Sequence, residues 1–195
     1  VVNPSVSANT VQELIALVKK EPGKFFYGSG GNGTNTHLAA ELFNAQAGIK
    51  IAHVPYKGAG AVLNDLIGGQ VQVMFADGPS ALPFIKAGKI RALGVGNPTP
   101  SAFFPGVPTI ASAGLPGYEA YSWTGVVAPL GTPDAIVKRV NADMVKVLND
   151  PKTIEALMGA GAEPMPGTTE EFRAFLSGEI KKWGDIIRTA KITVD

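Results

Sequence analysis

Residues 27–38, with the sequence YGSGGNGTNTHL, join a predicted strand to a predicted helix. Apolar residues over 24–28 predict the strand, and apolar residues at helical spacing over 36–47 predict the helix. Glycines let a backbone approach a ligand closely, and the first turn of a helix offers unpaired N–H groups with a partial positive charge. The residues with short polar side chains here are Ser29, Asn32, Thr34, Asn35 and Thr36. The stretch therefore predicts a site that holds a carboxylate or phosphate without a Lys or Arg.

The same glycines also fit a dinucleotide-binding pattern. Gly28, Gly30 and Gly33 satisfy G-x-G-x-x-G, which is a weak motif by itself. A dinucleotide site needs an acidic residue at the end of the next strand, and the predicted strand 49–54 is followed by Pro55 and Tyr56. No Gly-Lys-Ser/Thr closes a P-loop either. A nucleotide- or phosphate-binding α/β enzyme using the Gly28–Gly33 loop remains the alternative, and a tight turn without ligand is the third possibility.

Enzymatic and metal-binding patterns are weak in this chain. Ser29 lies in Y-G-S-G-G rather than G-x-S-x-G, and two histidines leave few partners for a catalytic serine. No cluster of His, Asp and Glu has metal-ligand spacing, and the chain contains no cysteine. We therefore predict a protein that is not an enzyme and uses no cofactor or metal.

Composition describes an ordinary globular chain. Of 195 residues, 45% are hydrophobic and 17% are charged, which is enough apolar material for a core. A net charge of +1 and the lack of a basic patch give no reason to expect a nucleic-acid partner. No apolar run approaches transmembrane length. The absence of cysteine suits an exported bacterial protein.

Helices and strands alternate through the first half of the chain. Beyond the elements above, we predict helices over 10–20, 58–67 and 80–87 and strands over 49–54, 71–75 and 90–95. This alternation predicts a sheet with parallel pairs covered by helices. After a predicted strand over 118–128, only amphipathic helices follow, over 133–148, 151–158 and 169–190. Those helices need a sheet to cover, and residues 123–195 do not encode one.

The chain resembles the receptors of tripartite tricarboxylate transporters, also called Bug proteins, of the TctC type. The resemblance rests on four ordered segments: LVKKEPGKFFYGSGGNGTNTHLAAELF, HVPYKGAGAVLNDLIGGQVQVMFAD, PSALPFIKAGKIRALGV and FFPGVPTIASAGLPGYEAYSWTGVVAPLGTP. It implies an α/β fold like that of type II periplasmic binding proteins, without the family's N-terminal third. Residues 4–122 would form a complete ligand-binding lobe, while 1–3 and 123–195 would supply hinge strands and the C-terminal helices of an incomplete other lobe.

The resemblance implies capture of a small carboxylate in an interlobe cleft and its delivery to a membrane transporter, in the periplasm of a Gram-negative bacterium. The ligand would be a di- or tricarboxylate, an amino acid or an aromatic acid. The residues matching the family's ligand loops are Ser29, Gly30, Gly31, Asn32, Gly33, Thr34, Asn35, Thr36, His37 and Asp77. An incomplete lobe would also leave the chain able to form oligomers, or make it an interaction fragment that binds no solute.

Several of these residues have a simpler interpretation. Thr34 or Thr36 can serve as a helix cap, and Asp77 can form an Asx-turn with the residues that follow it. His37, in the first turn of a helix, is expected to be neutral because the helix dipole disfavours a cation there. His53, between apolar neighbours, is expected to be structural, and Trp123 is expected to pack in a hinge or a core.

Overall fold

The computed structural model describes residues 1–193 and divides the chain into two units. Unit 1 comprises Val1–Ser122 and the residues from Ile186 on, and unit 2 comprises Trp123–Asp185. Among the described residues, no helix is long and apolar enough to cross a membrane.

A parallel sheet lies at the centre of unit 1. Its strands are β1 (Phe26–Ser29), β2 (Ala52–Pro55) and β3 (Val73–Met74), in the order β2-β1-β3. In the register of β1 and β2, Tyr27 lies opposite His53. The four accompanying helices are α1 (Val11–Lys20), α2 (Asn35–Ala47), α3 (Ala59–Gly68) and α4 (Gly78–Lys86). The predicted α/β alternation with parallel pairs is confirmed.

Successive side chains of β1 point to opposite faces of the sheet, and they show that α2 and α3 cover different faces. The Tyr27 hydroxyl donates to Glu41 of α2 at 2.6 Å, so this side chain points to the α2 face. Gly28 faces α3, where an added Cβ would overlap Val62 Cγ1. The first glycine of the G-x-G-x-x-G pattern is thus required by helix packing, not by a phosphate.

Residues 90–95 and 118–128 do not form the predicted strands. Arg91 and Val95 make isolated bridges, with Val2 and Thr109 respectively, and residues 118–130 have no regular secondary structure. Val2 lies between β3 and Arg91, bonded antiparallel to both, so the continuous parallel edge needed for a further strand is not formed. The predicted strand over 71–75 is likewise reduced to β3. β-Favouring composition alone does not make a strand, because a strand exists by pairing with a neighbour.

Unit 2 is built from helices. They are α5 (Asp134–Leu148), α6 (Pro151–Gly159) and α7 (Thr169–Thr189), the last extending beyond the unit boundary. Thr168 forms a capping box with Glu171 at the start of α7. By contrast, Thr132 does not cap α5, since its hydroxyl donates to the Pro129 carbonyl and Pro133 takes the cap position.

Aromatic residues around one buried carboxylate form the interior of unit 2. Trp123 packs edge-on against Phe172 and Phe175, with ring centroids 5.9 and 5.1 Å apart. The indole N–H groups of Trp123 and Trp183 both donate to Glu179, at 3.1 and 2.9 Å. Burial opposes ionisation of Glu179, but hydrogen bonds from Lys182 and the two indoles outweigh it and lower its pKa. Trp123 therefore packs in a core, one of the two roles predicted for it.

Apolar residues remain exposed in unit 2, both on α5 and in the irregular segment before it. Val126 and Val127 are 63% and 72% exposed, and α5 contains no buried residue. Val140, Met144 and Val147 line an open apolar groove on α5. Such faces are normally covered in a folded protein, because apolar burial is worth about 25 cal/mol per Å².

We expect the purified chain to self-associate through these faces, with a sedimentation coefficient that rises with concentration. Replacing Val140 and Val147 by Asp should shift the chain towards monomer, because charges on the groove oppose apolar contact. Replacing two exposed lysines outside the groove, Lys181 and Lys191, by Gln changes the net charge equally, so it is the matched control and should leave association unchanged. A single monomeric boundary at every concentration would contradict this expectation.

Candidate functional site

The glycine-rich loop leaves the central strand of the sheet and leads directly into α2. Backbone hydrogen bonds join it to the segment after β2: the Tyr56 N–H donates to Ser29 and the Gly58 N–H donates to Gly30. Gly31 and Gly33 have positive φ angles of 136° and 72°, a region that favours glycine. The loop thus lies at the carboxyl edge of the parallel sheet, where open α/β sheets bind ligands.

Two threonine hydroxyls hold the loop closed. Thr36 Oγ1 accepts a hydrogen bond from the Gly30 N–H at 3.0 Å, and the Thr34 hydroxyl donates to the Gly31 carbonyl at 2.7 Å. The two hydroxyl oxygens lie 3.0 Å apart, so Thr36 donates to Thr34. Both side chains thereby support the loop backbone from within.

The first turn of α2 keeps its N–H groups free of a side-chain cap. Thr34 occupies the N-cap position, but its side chain accepts no hydrogen bond from the helix. The prediction that Thr34 or Thr36 caps the helix is therefore wrong, because both hydroxyls are engaged with the loop. The donors of the first turn, at residues 35–37, are available to an anion and carry the positive end of the helix dipole.

His37 is a neutral imidazole bonded to the loop. Its Nδ1 accepts a hydrogen bond from the Gly33 N–H at 3.1 Å, which requires that Nδ1 carry no proton. Burial lowers the pKa of His37, and the nearby Glu41 carboxylate opposes that shift. The structure thus agrees with the predicted neutral state, and the imidazole uses its unprotonated nitrogen as a hydrogen-bond acceptor.

His53 reaches the loop as well, a contact that the sequence reasoning missed. Its Nε2 lies 2.6 Å from Ser29 Oγ, and its ring stacks on His37 with centroids 3.8 Å apart. Burial and the neighbouring His37 lower the pKa of His53 to about 4. The cross-strand pairing of Tyr27 with His53 places it there, and the sequence could have revealed it only if the strand register had been known.

Ser29 does not form a catalytic triad with His53. Its side chain is fully buried, and its Oγ also accepts a hydrogen bond from the Gly31 N–H at 3.2 Å. The nearest acid of α2, Glu41, accepts from the Tyr27 hydroxyl. Ser29 therefore supports the loop, and among the described residues no group of three or more His, Cys, Asp or Glu could hold a metal.

Asp77 lies at the N-terminus of α4, which follows β3 at the same edge of the sheet. The exposed carboxylate makes no cap hydrogen bond, and the Ser80 hydroxyl donates instead to the Asp77 backbone carbonyl. The Asx-turn interpretation of Asp77 is therefore wrong. The Asp77 carboxylate makes no hydrogen bond to the backbone of the residues that follow it in α4.

Ser122 links Asp77 to the glycine loop. Its hydroxyl donates to Asp77 Oδ1 at 3.0 Å and accepts from Asn35 Nδ2 at 3.4 Å. Asn35 opens α2, so Asp77 and the uncapped helix turn lie within one hydrogen-bonded chain. Sequence reasoning placed Ser122 in the predicted strand over 118–128 and did not select it for the site, because its contact with Asn35 spans 87 residues.

Nine of the ten predicted ligand-binding residues are contiguous, and the structure joins the tenth to them. Asn32 lies in the same loop. Lys57 is exposed next to Gly58, whose N–H donates to the Gly30 carbonyl. The arrangement offers uncapped N–H groups beside one carboxylate. Such a site can bind the carboxylate of a solute by dipoles and, through Asp77, select among the solute's other groups.

Comparison with known proteins identifies the family. The sequence profile described as "Tripartite tricarboxylate transporter family receptor" matches residues 1–192. Protein BugT of Bordetella pertussis is 35% identical over 96% of this chain and 58% of its own length. The structure of R. palustris Rpa4515 with adipate is 36% identical, with a TM-score of 0.81 over 98% of this chain and 64% of that one.

A second solved structure, MatC from Rhodopseudomonas palustris with bound malate, has 27% identity and a TM-score of 0.73 over 95% of this chain and 64% of that one. The chain thus spans about three fifths of these relatives' lengths. The α/β fold with its parallel sheet is shared with these solute-binding proteins, as the resemblance implied. The chain belongs to the family of tripartite tricarboxylate transporter receptors, a family of solute receptors and not of enzymes.

Proposed function

We propose that this chain is the ligand-binding part of a periplasmic receptor for a small carboxylate. The receptor delivers this solute to the membrane components of a tripartite tricarboxylate transporter. The solute is a di- or tricarboxylate, an amino acid or an aromatic acid, held in an interlobe cleft. It is bound without chemical change and without a cofactor. The observation that carries the proposal is the uncapped first turn of α2, reached by a glycine loop at the carboxyl edge of the sheet.

The proposed ligand contacts are the backbone N–H groups of the predicted loop and of the first helical turn, together with the side chains of Asp77 and Ser122. Adipate and malate, bound by two relatives, are both small dicarboxylates, which supports a carboxylate over a nucleotide. Within the loop, Gly28 is explained by the packing of Val62 and not by a pyrophosphate. Ser29, Thr36 and His37 hold the loop from the protein side, so the first helical turn is left for the solute.

Isothermal titration of the chain with adipate, malate, glutamate and benzoate tests the proposal, with ATP as the comparison ligand. We expect saturable binding of at least one carboxylate and none of ATP. Binding of ATP alone would support the alternative of a nucleotide site. The absence of any binding, in a chain whose circular dichroism shows it to be folded, would favour an interaction fragment.

Asp77→Asn is expected to change the preference of the site among carboxylates. An exposed carboxylate near the anion site repels a second carboxylate of the solute and attracts an ammonium group. We expect the ratio of aspartate to succinate affinity to fall about tenfold, equivalent to 1.4 kcal/mol. Competition binding to both proteins measures the ratio.

The matched control is Asp65→Asn, because Asp65 accepts from the Tyr56 hydroxyl and is not bonded to Ser122. This variant should leave the aspartate to succinate ratio as it is. A ratio unaltered in Asp77→Asn would remove Asp77 from the site.

A further inference from the structure

Three aromatic rings lie stacked beneath the glycine loop, one from each of three neighbouring elements. Tyr27 of β1 stacks on His53 of β2 at 4.9 Å, and His53 stacks on His37 of α2 at 3.8 Å. The rings are close to parallel, with angles of 20° and 16° between their planes. The two imidazoles are therefore in face-to-face contact, where a charge on one ring lies directly against the other.

Each imidazole is connected to a different glycine N–H of the loop. His37 Nδ1 accepts directly from Gly33. His53 Nε2 contacts Ser29 Oγ, which in turn accepts from the Gly31 N–H. The conformation of the loop at both of its positive-φ glycines thus depends on the two rings.

Protonation is incompatible with this arrangement. A proton on His37 Nδ1 would replace the lone pair that accepts from Gly33, so this N–H would lose its partner. Burial disfavours a positive charge on His53, and with both rings protonated two like charges would lie on ring centroids only 3.8 Å apart. The other ionisable groups facing the pair are the Tyr27 hydroxyl and Glu41, which are bonded to each other at 2.6 Å. Glu41 favours protonation of His37 but is already a hydrogen-bond acceptor for Tyr27.

We propose that His37 and His53 are positioning residues that hold the glycine loop in its anion-binding conformation only while both rings are neutral, so that acidification opens the loop. This inference rests on the proposed function for its consequence, release of a bound carboxylate in acid. It assigns to His53 a role that lies outside the ligand contacts themselves. For His37, the role assigned here belongs to its Nδ1 atom, which accepts from the Gly33 N–H, and does not require that the ring contact the solute.

The direction of the pH effect follows from the pKa shifts. The pKa of His53 is lowered from 6.5 to about 4, and that of His37 is lowered as well. A group whose pKa is lower in the closed state binds its proton more readily in the open state. The closed loop is therefore fully favoured above pH 6.5 and loses stability as the pH falls from 6.5 towards 4.

Nuclear magnetic resonance of the ligand-free chain tests the proposal. Titration of the imidazole signals should show both midpoints below 6.5, with that of His53 near pH 4. The amide signals of Gly31 and Gly33 should shift with the same midpoints, whereas Gly23, in a turn before β1, should not follow. If the glycine signals stay constant while the rings titrate, the stack is merely structural and the proposal is overturned.

Two conservative variants that cannot titrate test the same coupling. His37→Asn keeps an acceptor near the position of Nδ1, and His53→Gln keeps a polar atom near that of Nε2, but neither side chain titrates. With both changes, the Gly31 and Gly33 signals should no longer shift between neutral pH and pH 4. A shift as large as in the natural chain would overturn the proposal. If the double variant does not fold, His53→Gln alone is tested, and the pH-dependent shift of the Gly31 amide signal is the result that decides.

The ligand-free readout keeps this inference distinct from the proposed function. If no carboxylate binds at neutral pH, the proposed function fails while the coupling of the rings to the loop can still be observed. If carboxylates bind at neutral pH and the loop signals ignore the rings, the proposed function holds and this inference fails.

Discussion

Gly96→Ala is expected to destabilise unit 1 by about 3 kcal/mol or more, a large effect for the addition of one methyl group. An added Cβ would overlap the carbonyl oxygen of Ala120, which is backbone and cannot turn aside as a side chain can. The same two residues share a backbone hydrogen bond, from the Ala120 N–H to the Gly96 carbonyl at 2.9 Å. Relief of the overlap therefore requires residues 118–122 to move away.

Urea denaturation followed by circular dichroism measures this loss of stability. Gly60→Ala is the matched control, because an added Cβ at Gly60 meets no atom within 4 Å and the residue lies in α3. Alanine should stabilise that helix by about 0.5–1 kcal/mol. Equal stabilities for Gly96→Ala and the natural chain would show that residues 118–122 do not lie against Gly96.

The second large effect is expected at Thr36. Thr36→Val nearly preserves the shape of the side chain but removes the oxygen that accepts from the Gly30 N–H and donates to Thr34. A partly buried donor without an acceptor costs about 1–3 kcal/mol, and the loop is expected to rearrange to satisfy it. We therefore expect carboxylate affinity to fall about 30-fold, which corresponds to about 2 kcal/mol.

Isothermal titration at neutral pH gives this affinity. The matched control is Thr10→Ala, which removes the N-cap of α1, where Thr10 accepts from the Glu13 N–H at 3.1 Å. That variant should lose about 1 kcal/mol of stability and keep its carboxylate affinity. An undiminished affinity in Thr36→Val would mean that the loop conformation does not govern binding.

Helices were predictable from the sequence because their end signals are local. Thr10 with Glu13 and Thr168 with Glu171 mark helix starts that the structure confirms. Gly48 directly follows the predicted helix 36–47 and adopts the left-handed conformation that ends α2. The strand over 118–128 was predicted wrongly because aromatic and β-branched composition does not supply a pairing partner.

The candidate site was predicted from a local feature of the sequence, whereas the contacts that support its loop were not predicted. A glycine-rich turn before a helix indicates an anion site by backbone properties alone, and the structure places this turn at the carboxyl edge of the sheet. His53 and Ser122 join the site through strand register and through a contact between distant segments. A single sequence contains no local feature that reports either contact, so His53 was assigned a structural role and Ser122 was not selected.

A nuclear magnetic resonance titration of the isotope-labelled chain with malate, at neutral pH, tests the central claim most directly. If a carboxylate binds the first turn of α2, the amide signals of Asn35, Thr36 and His37 should shift in a saturable manner. The amide of Glu13, in the first turn of α1, should not move, because Thr10 already caps it. Saturable shifts confined to residues far from the glycine loop would contradict the account.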